Sequence, residues 1–111
     1  MRVTTSFWVG AFVRRCYTEG AAALVVRHGS DEAGAILVVV DRLDGTGDIY
    51  GPAPQSLMAE SENDDRRFQR LLEKVPAEAI SARLEQERKF DPDVWIIAVE
   101  DVRGRSFLDL A

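Results

Sequence analysis

The sequence predicts an α+β domain, a single layer of mainly antiparallel sheet with about four or five strands and two helices, in the order α-β-β-β-β-α-β. Three observations carry that prediction. Apolar residues recur at helical spacing in two separate stretches, β-branched runs too short to be helices lie between and after them, and Gly, Pro or Asp punctuates nearly every junction.

The first helix is read over about residues 7–19. Trp8, Phe12 and Cys16 fall at i, i+4 and i+8, with Val9, Val13 and Tyr17 repeating the pattern beside them, so the apolar stripe is wide enough to lie on a sheet. Ser6 is the expected N-cap and Gly20 the C-terminal stop. AALVVRH and AILVVVDR follow, separated by GSDEAG, and together they read as a hairpin. Ile36 to Val40 shows no polar alternation, which predicts a central strand covered on both faces. DGTGD at 44–48 is a second turn, Asp48 to Gly51 a short third strand, and Pro52 and Pro54 end its pairing.

QSLMAESENDD, residues 55–65, reads as an exposed acidic loop. Residues 66–74 fit either a strand or a helix, because Phe68, Leu71 and Leu72 have helical spacing while Phe68, Arg70 and Leu72 alternate; the strand is preferred. Pro76 suits the first position of a second helix, supported by Glu85 and Lys89 at i, i+4 and ending near Phe90, since Asp91 precedes Pro92. VWIIAVE is a buried strand, and SFLDL a short terminal strand or helical turn. Both helices are placed on one face of the sheet.

At 111 residues the chain is expected to be one domain, 1–111, burying roughly two-thirds of its unfolded surface. A net charge of −5 argues against nucleic acid, which demands a positive footprint. The apolar runs fall far short of the ~20 residues of a membrane span, and a cytoplasmic setting is expected. One cysteine and one histidine leave no internal disulfide and no Cys/His metal centre within a single chain. No cofactor fingerprint is present: the glycines of GTG match neither a dinucleotide loop nor a P-loop.

Candidate chemistry is correspondingly thin, and no residue is assigned a catalytic role. Cys16 follows two arginines, which favour a thiolate, but lies on the apolar stripe as a buried small hydrophobe would. Asp41, Asp44 and Asp48 suggest a cation loop, yet the alternate positions hold Leu43 and Gly45, and a hairpin turn explains them better. FDPDVWIIAVED places its carboxylates in two groups at opposite ends of a strand, about 20 Å apart at ~3.3 Å per residue, too far for an acid–base pair. Asp91 or Asp93 is expected to hold an arginine. Arg14, Arg15, Arg27 and Arg42, with Tyr50, are the speculative anion-binding set, expected to converge at one edge on a carboxylate or phosphate.

FWVGAFVRRC, GAILVVVDRLDGTGDIYGPAP and RKFDPDVWIIAVEDVRGRSFLD together resemble the domain-of-unknown-function family numbered 1491, small bacterial proteins found chiefly in alphaproteobacteria. The resemblance covers nearly the whole chain and implies a cytoplasmic setting, with no activity or site residue to carry over. The expectation that follows is a small cytoplasmic binding or accessory domain, acting through protein contacts and self-association at exposed strand edges. The alternative is a small-molecule enzyme or sensor, using the arginines with Asp41 or Asp44 as base in a concave pocket.

Overall fold

The computed structural model describes residues 3–32, 34–54 and 66–111. Its elements are α1 (Thr5–Thr18), β1 (Ala22–Arg27), β2 (Ile36–Asp41), β3 (Thr46–Pro52), β4 (Phe68–Pro76), α2 (Ala77–Phe90) and β5 (Trp95–Glu100). The α+β class and the element order are those the sequence predicts. The acidic stretch 55–65 lies outside the described residues.

Helix α1 starts two residues earlier than expected. Thr4, not Ser6, is the N-cap, and its hydroxyl accepts the Phe7 amide at 3.1 Å. The shift brings Thr5 into the core, where its hydroxyl donates to the Gly34 carbonyl at 3.3 Å. Val9, Phe12 and Cys16 form the buried seam, and Trp8 stacks on Phe12 with ring centroids 5.1 Å apart. Tyr17, expected on the stripe, is 60% exposed because the seam is narrower than the apolar pattern. Gly20 ends the helix at φ +90°, with its amide donating to the Tyr17 carbonyl and that of Ala21 to the Cys16 carbonyl.

The sheet order is β1-β5-β2-β3-β4. The hairpin expected of the first two strands does not form. β5 inserts between them, antiparallel to β1 and parallel to β2, so the sheet is mixed, with one parallel pair. Residues 28–30 and 34–35, turn-like in sequence, instead lie across the entry of β5. There the Ser30 amide donates to the Asp93 carbonyl at 3.0 Å, the Trp95 indole Nε1 donates to the Ser30 carbonyl at 2.7 Å, and the Trp95 amide donates to the Ala35 carbonyl at 2.8 Å. Gly29 and Gly34 press on this corner: a Cβ on either would come within 2.5 Å or less of the Asp93 carbonyl oxygen. Two β-branched runs around a polar turn have the same local pattern whether their strands touch or admit a third between them.

The helices lie on opposite faces, not on one. Ile36, Val38 and Val40 of β2 join Val9, Phe12 and Cys16 of α1, while Leu37 and Val39 join Ile80 of α2. Alternate side chains of a strand point to opposite faces, so a strand buried throughout demands a layer on each side. All five of these β2 residues are buried, as their unbroken apolar run predicts.

Residues 42–45 close the β2–β3 hairpin, with Leu43 at φ +63° and Gly45 at φ +91°. β3 therefore begins at Thr46, and Asp48 lies inside it. β4 is the preferred strand reading of the ambiguous segment. Pro76 is the N-cap of α2, which ends at Phe90 as expected. The C-terminal residues make a single parallel bridge, Leu110 with Phe68.

Candidate functional site

The strand directions decide where the arginines go. β1 and β2 are both neighbours of β5 but run oppositely, so Arg27 at the end of β1 and Arg42 just past β2 stand at opposite ends of the sheet. Arg27 donates from Nη1 to the Val94 carbonyl at 2.8 Å, beside a bulge between Val25 and Arg27. Arg14 is exposed on α1, and Arg15 reaches the Phe107 carbonyl at 3.3 Å. Tyr50 is buried, and its hydroxyl accepts from Arg70 Nε at 3.2 Å. The convergence of Arg14, Arg15, Arg27, Arg42 and Tyr50 at one edge is therefore not what the fold provides. It presumed the hairpin that β5 displaces.

One end of the sheet does carry a built ionic frame. Asp48 is fully buried and accepts from Arg42 Nε at 2.9 Å, Arg42 Nη2 at 3.0 Å and the Lys74 amide at 2.8 Å. Beside it, Asp101 takes a forked contact from Arg105, with Nη2 at 2.7 Å from Oδ1, and also accepts the Arg105 amide. That hydrogen bonding holds the Asp101 carboxyl below its ordinary range. Gly104, at φ +75°, lets the Arg42 guanidinium lie against the backbone; a Cβ there would be 2.5 Å from Cζ. These donors are committed to internal carboxylates, which makes the frame a brace for the strand ends. The sequence offered Asp48 as a turn residue and strand start, and nothing in it pointed to the buried pairing with Arg42.

The other candidates separate in the same way. Asp41 accepts the Leu43 amide, and Asp44 accepts the Thr46 amide and hydroxyl, so each serves its own turn. Among the described residues, no group of three or more His, Cys, Asp or Glu side chains is arranged to hold a metal ion. Cys16 is fully buried, and burial pushes its thiol up to about 11. His28 lies against Trp95 with the rings tilted and their centroids 4.1 Å apart, at the sheet end where α1 begins, away from Cys16 near the helix's other end. Asp91 accepts the Asp93 amide at 2.9 Å, while the arginine that arrives at this corner, Arg27, donates to a backbone carbonyl instead.

Two grooves mark the described surface. One of about 360 Å³ runs between the β2–β3 turn and the start of α2, with Asp41 but no arginine; the other, about 220 Å³, has Arg27 and Arg88 around Val26, Leu84 and Ile96 but no carboxylate. Neither brings the arginines and Asp41 or Asp44 together.

The surface that stands out is β1 itself. α2 lies mainly over β3 and β4 and reaches Ile96 of β5 through Leu84, while Leu24 and Val26 of β1 stay exposed at the rim of that face. Leu24 and Val26 are each 57% exposed and Val25 38%, along a strand with no paired neighbour on its outer side among the described residues. The opposite edge, β4, is guarded by the Arg70–Glu73 ion pair, Lys74 at φ +50°, two register irregularities, Pro76 and the bridge to Leu110. The LVV run looks like any core strand in sequence; only the strand order reveals that it lies at an edge, exposed among the described residues.

Fold and surface together define a small α+β protein with a braced sheet end and, among the described residues, an apolar edge strand, β1. The chain belongs to the family described as "Protein of unknown function (DUF1491)", whose model matches residues 3–109. The crystal structure of a DUF1491 family protein from Caulobacter crescentus is similar at 32% identity and a TM-score of 0.80, covering 100% of this chain and 99% of that one. The solution structure of a protein from A. tumefaciens is similar at 38% identity and a TM-score of 0.83, covering 100% and 96%. No curated protein matches. Among the described residues no helix is long and apolar enough to cross a membrane.

Proposed function

We propose that the protein is a binding module whose working surface is the β1 edge with its exposed Leu24, Val25 and Val26, acting by contact with another polypeptide. The observation that carries this reading is the asymmetry of the two sheet edges: β4 bears charge, irregularity and proline, while β1 presents Leu24, Val25 and Val26 in a row. An unguarded edge offers backbone donors and acceptors that a partner strand satisfies, and the apolar side chains beside it gain by losing water. A cytoplasmic setting suits the lone thiol, Cys16, kept inside the core. Negative charge over the whole molecule favours a protein partner over nucleic acid.

The test is affinity capture from the native host with the wild-type chain and with Leu24→Lys/Val26→Lys. Both positions are more than half exposed, so the variant keeps its fold, checked by circular dichroism. The reading expects a defined set of captured proteins that the variant loses. An unchanged set overturns it.

A further inference from the structure

The smaller groove, between the end of β1 and the second half of α2, combines an apolar floor with positive charge. We propose that it binds a small organic monocarboxylate. Arg27 and Arg88 hold the carboxylate, and an apolar body of about four or five carbons rests on Val26, Leu84 and Ile96. This site stands apart from any polypeptide at the β1 edge.

A bulge builds the β1 side of the groove. Val25 pairs with Ile97 and Arg27 with Ile96, so Val26 and Arg27 together oppose Ile96. In a regular strand one of these two neighbours would point to the α1 face. Here both line the groove on the α2 face, Val26 as its wall and Arg27 as its charge. Arg27 Nη1 donates to the Val94 carbonyl at 2.8 Å, which fixes the guanidinium in place. That bond uses a single N–H, and the guanidinium keeps donors for a second acceptor.

Arg27 is half-buried, yet among the described residues no carboxylate forms an ion pair with it. The chain has 19 Asp and Glu against 14 Lys and Arg, so acids are not scarce. A charge partly removed from water without an opposite one is unfavourable, and a bound anion relieves that cost. Arg88 reaches the groove from the other side. Ile80, Leu84 and Arg88 follow at i, i+4 and i+8, so Arg88 stands where a third apolar residue would have sealed α2 onto Ile96. Its ion pair with Glu85 is 3.8 Å long, between side chains that are both more than half exposed, and such a pair yields readily to a better-placed anion. The larger groove carries Asp41 and no arginine, so it offers an anion nothing.

Size fixes the body of the ligand. At ~30 Å³ for each non-hydrogen atom, the share of a water molecule in the liquid, about 220 Å³ holds roughly seven such atoms. A carboxylate with about four or five further carbons fills that space.

Titration with the sodium salts of straight-chain acids from acetate to octanoate, followed by backbone amide NMR shifts, tests the site. Hexanoate is expected to shift the amides of Val26, Arg27, Leu84, Arg88 and Ile96, with a Kd of about 1 mM or tighter. Affinity should rise about fourfold per methylene up to hexanoate and level off at octanoate, whose chain outgrows the groove. 1-Hexanol, which lacks the charge, should bind about tenfold more weakly or worse. Arg27→Gln and Arg88→Gln should each weaken hexanoate about fivefold or more, with folding checked by circular dichroism. Arg88 is more than half exposed, so its variant carries the test if Arg27→Gln loses the fold. Arg14→Gln, on the exposed side of α1, is the control and should leave binding unchanged.

Hexanoate that shifts no groove residue at about ten times the expected Kd overturns the inference. Binding of 1-hexanol as tight as that of hexanoate, or hexanoate binding indifferent to the arginine variants, removes the carboxylate from it. Inorganic phosphate bound as tightly as hexanoate removes the apolar body. An N-acetylated peptide ending in leucine that occupies the groove about tenfold more tightly than hexanoate replaces the free acid with a polypeptide C-terminus.

Discussion

Replacing Gly29 by alanine tests the close seating of residues 28–30 on the entry of β5. The added Cβ would stand 2.2 Å from the Asp93 carbonyl oxygen, 2.6 Å from Trp95 Cδ1 and 2.8 Å from the Val94 carbonyl carbon. Two of those three atoms are backbone of a segment pinned into the sheet, so a rotamer change cannot relieve the clash. Overpacking of this kind costs about 1–3 kcal/mol. Lifting the segment also strains the bonds from Ser30 to Asp93 and from Trp95 to Ser30, each contributing about 1 kcal/mol. The sum is about 3 kcal/mol or more, and at about 4 °C per kcal/mol for a domain of this size the Tm falls by roughly 12 °C or more. Gly10→Ala is the control: it sits within α1 with nothing within 4 Å of its Cβ, and should gain about 1 kcal/mol from helix propensity. Thermal and urea unfolding of both variants, followed by tryptophan fluorescence, measure the difference. A loss below about 1 kcal/mol for Gly29→Ala would refute the close seating of that segment on β5.

The Asp101 carboxyl is held below 3.8 by Arg105, so its contribution to stability is complete above that value and disappears as pH falls through the lower, folded one. Asp101→Asn should lower the urea midpoint at neutral pH and flatten the loss of stability on acidification; an unchanged acid limb contradicts the role given to the pair. Cys16, buried and with its thiol pushed up to about 11, should resist Ellman's reagent in native protein at mildly alkaline pH and react on unfolding. Reaction at the rate of a free thiol in the folded state contradicts its placement.

What was legible in the sequence is what short-range physics determines. Gly20 terminates α1, Pro76 opens α2 and Pro92 closes it, because each restricts or frees backbone within a residue or two of itself. The Ile36–Val40 run gave its own burial, since two-sided covering leaves no room for polar alternation. What was hidden depends on residues distant in the chain. β5 enters between β1 and β2 from more than fifty positions downstream, and nothing near residue 30 announces its arrival. The arginines and the edge position of β1 were misjudged for that same reason: each depends on which strands are neighbours.

That late entry has a consequence for how the chain is made. β5 is the last of the five strands to leave the ribosome, yet it occupies the slot beside two of the earliest. Until it emerges, β1 and β2 each face an empty side, and both carry valine-rich runs that suit one another. A transient β1–β2 hairpin is then a misfold that must open before the native sheet can close. Such long-range closure is slow and leaves adhesive strands uncovered meanwhile. A nascent chain stopped before Trp95 should therefore aggregate or recruit chaperones, and release through Glu100 should end that vulnerability.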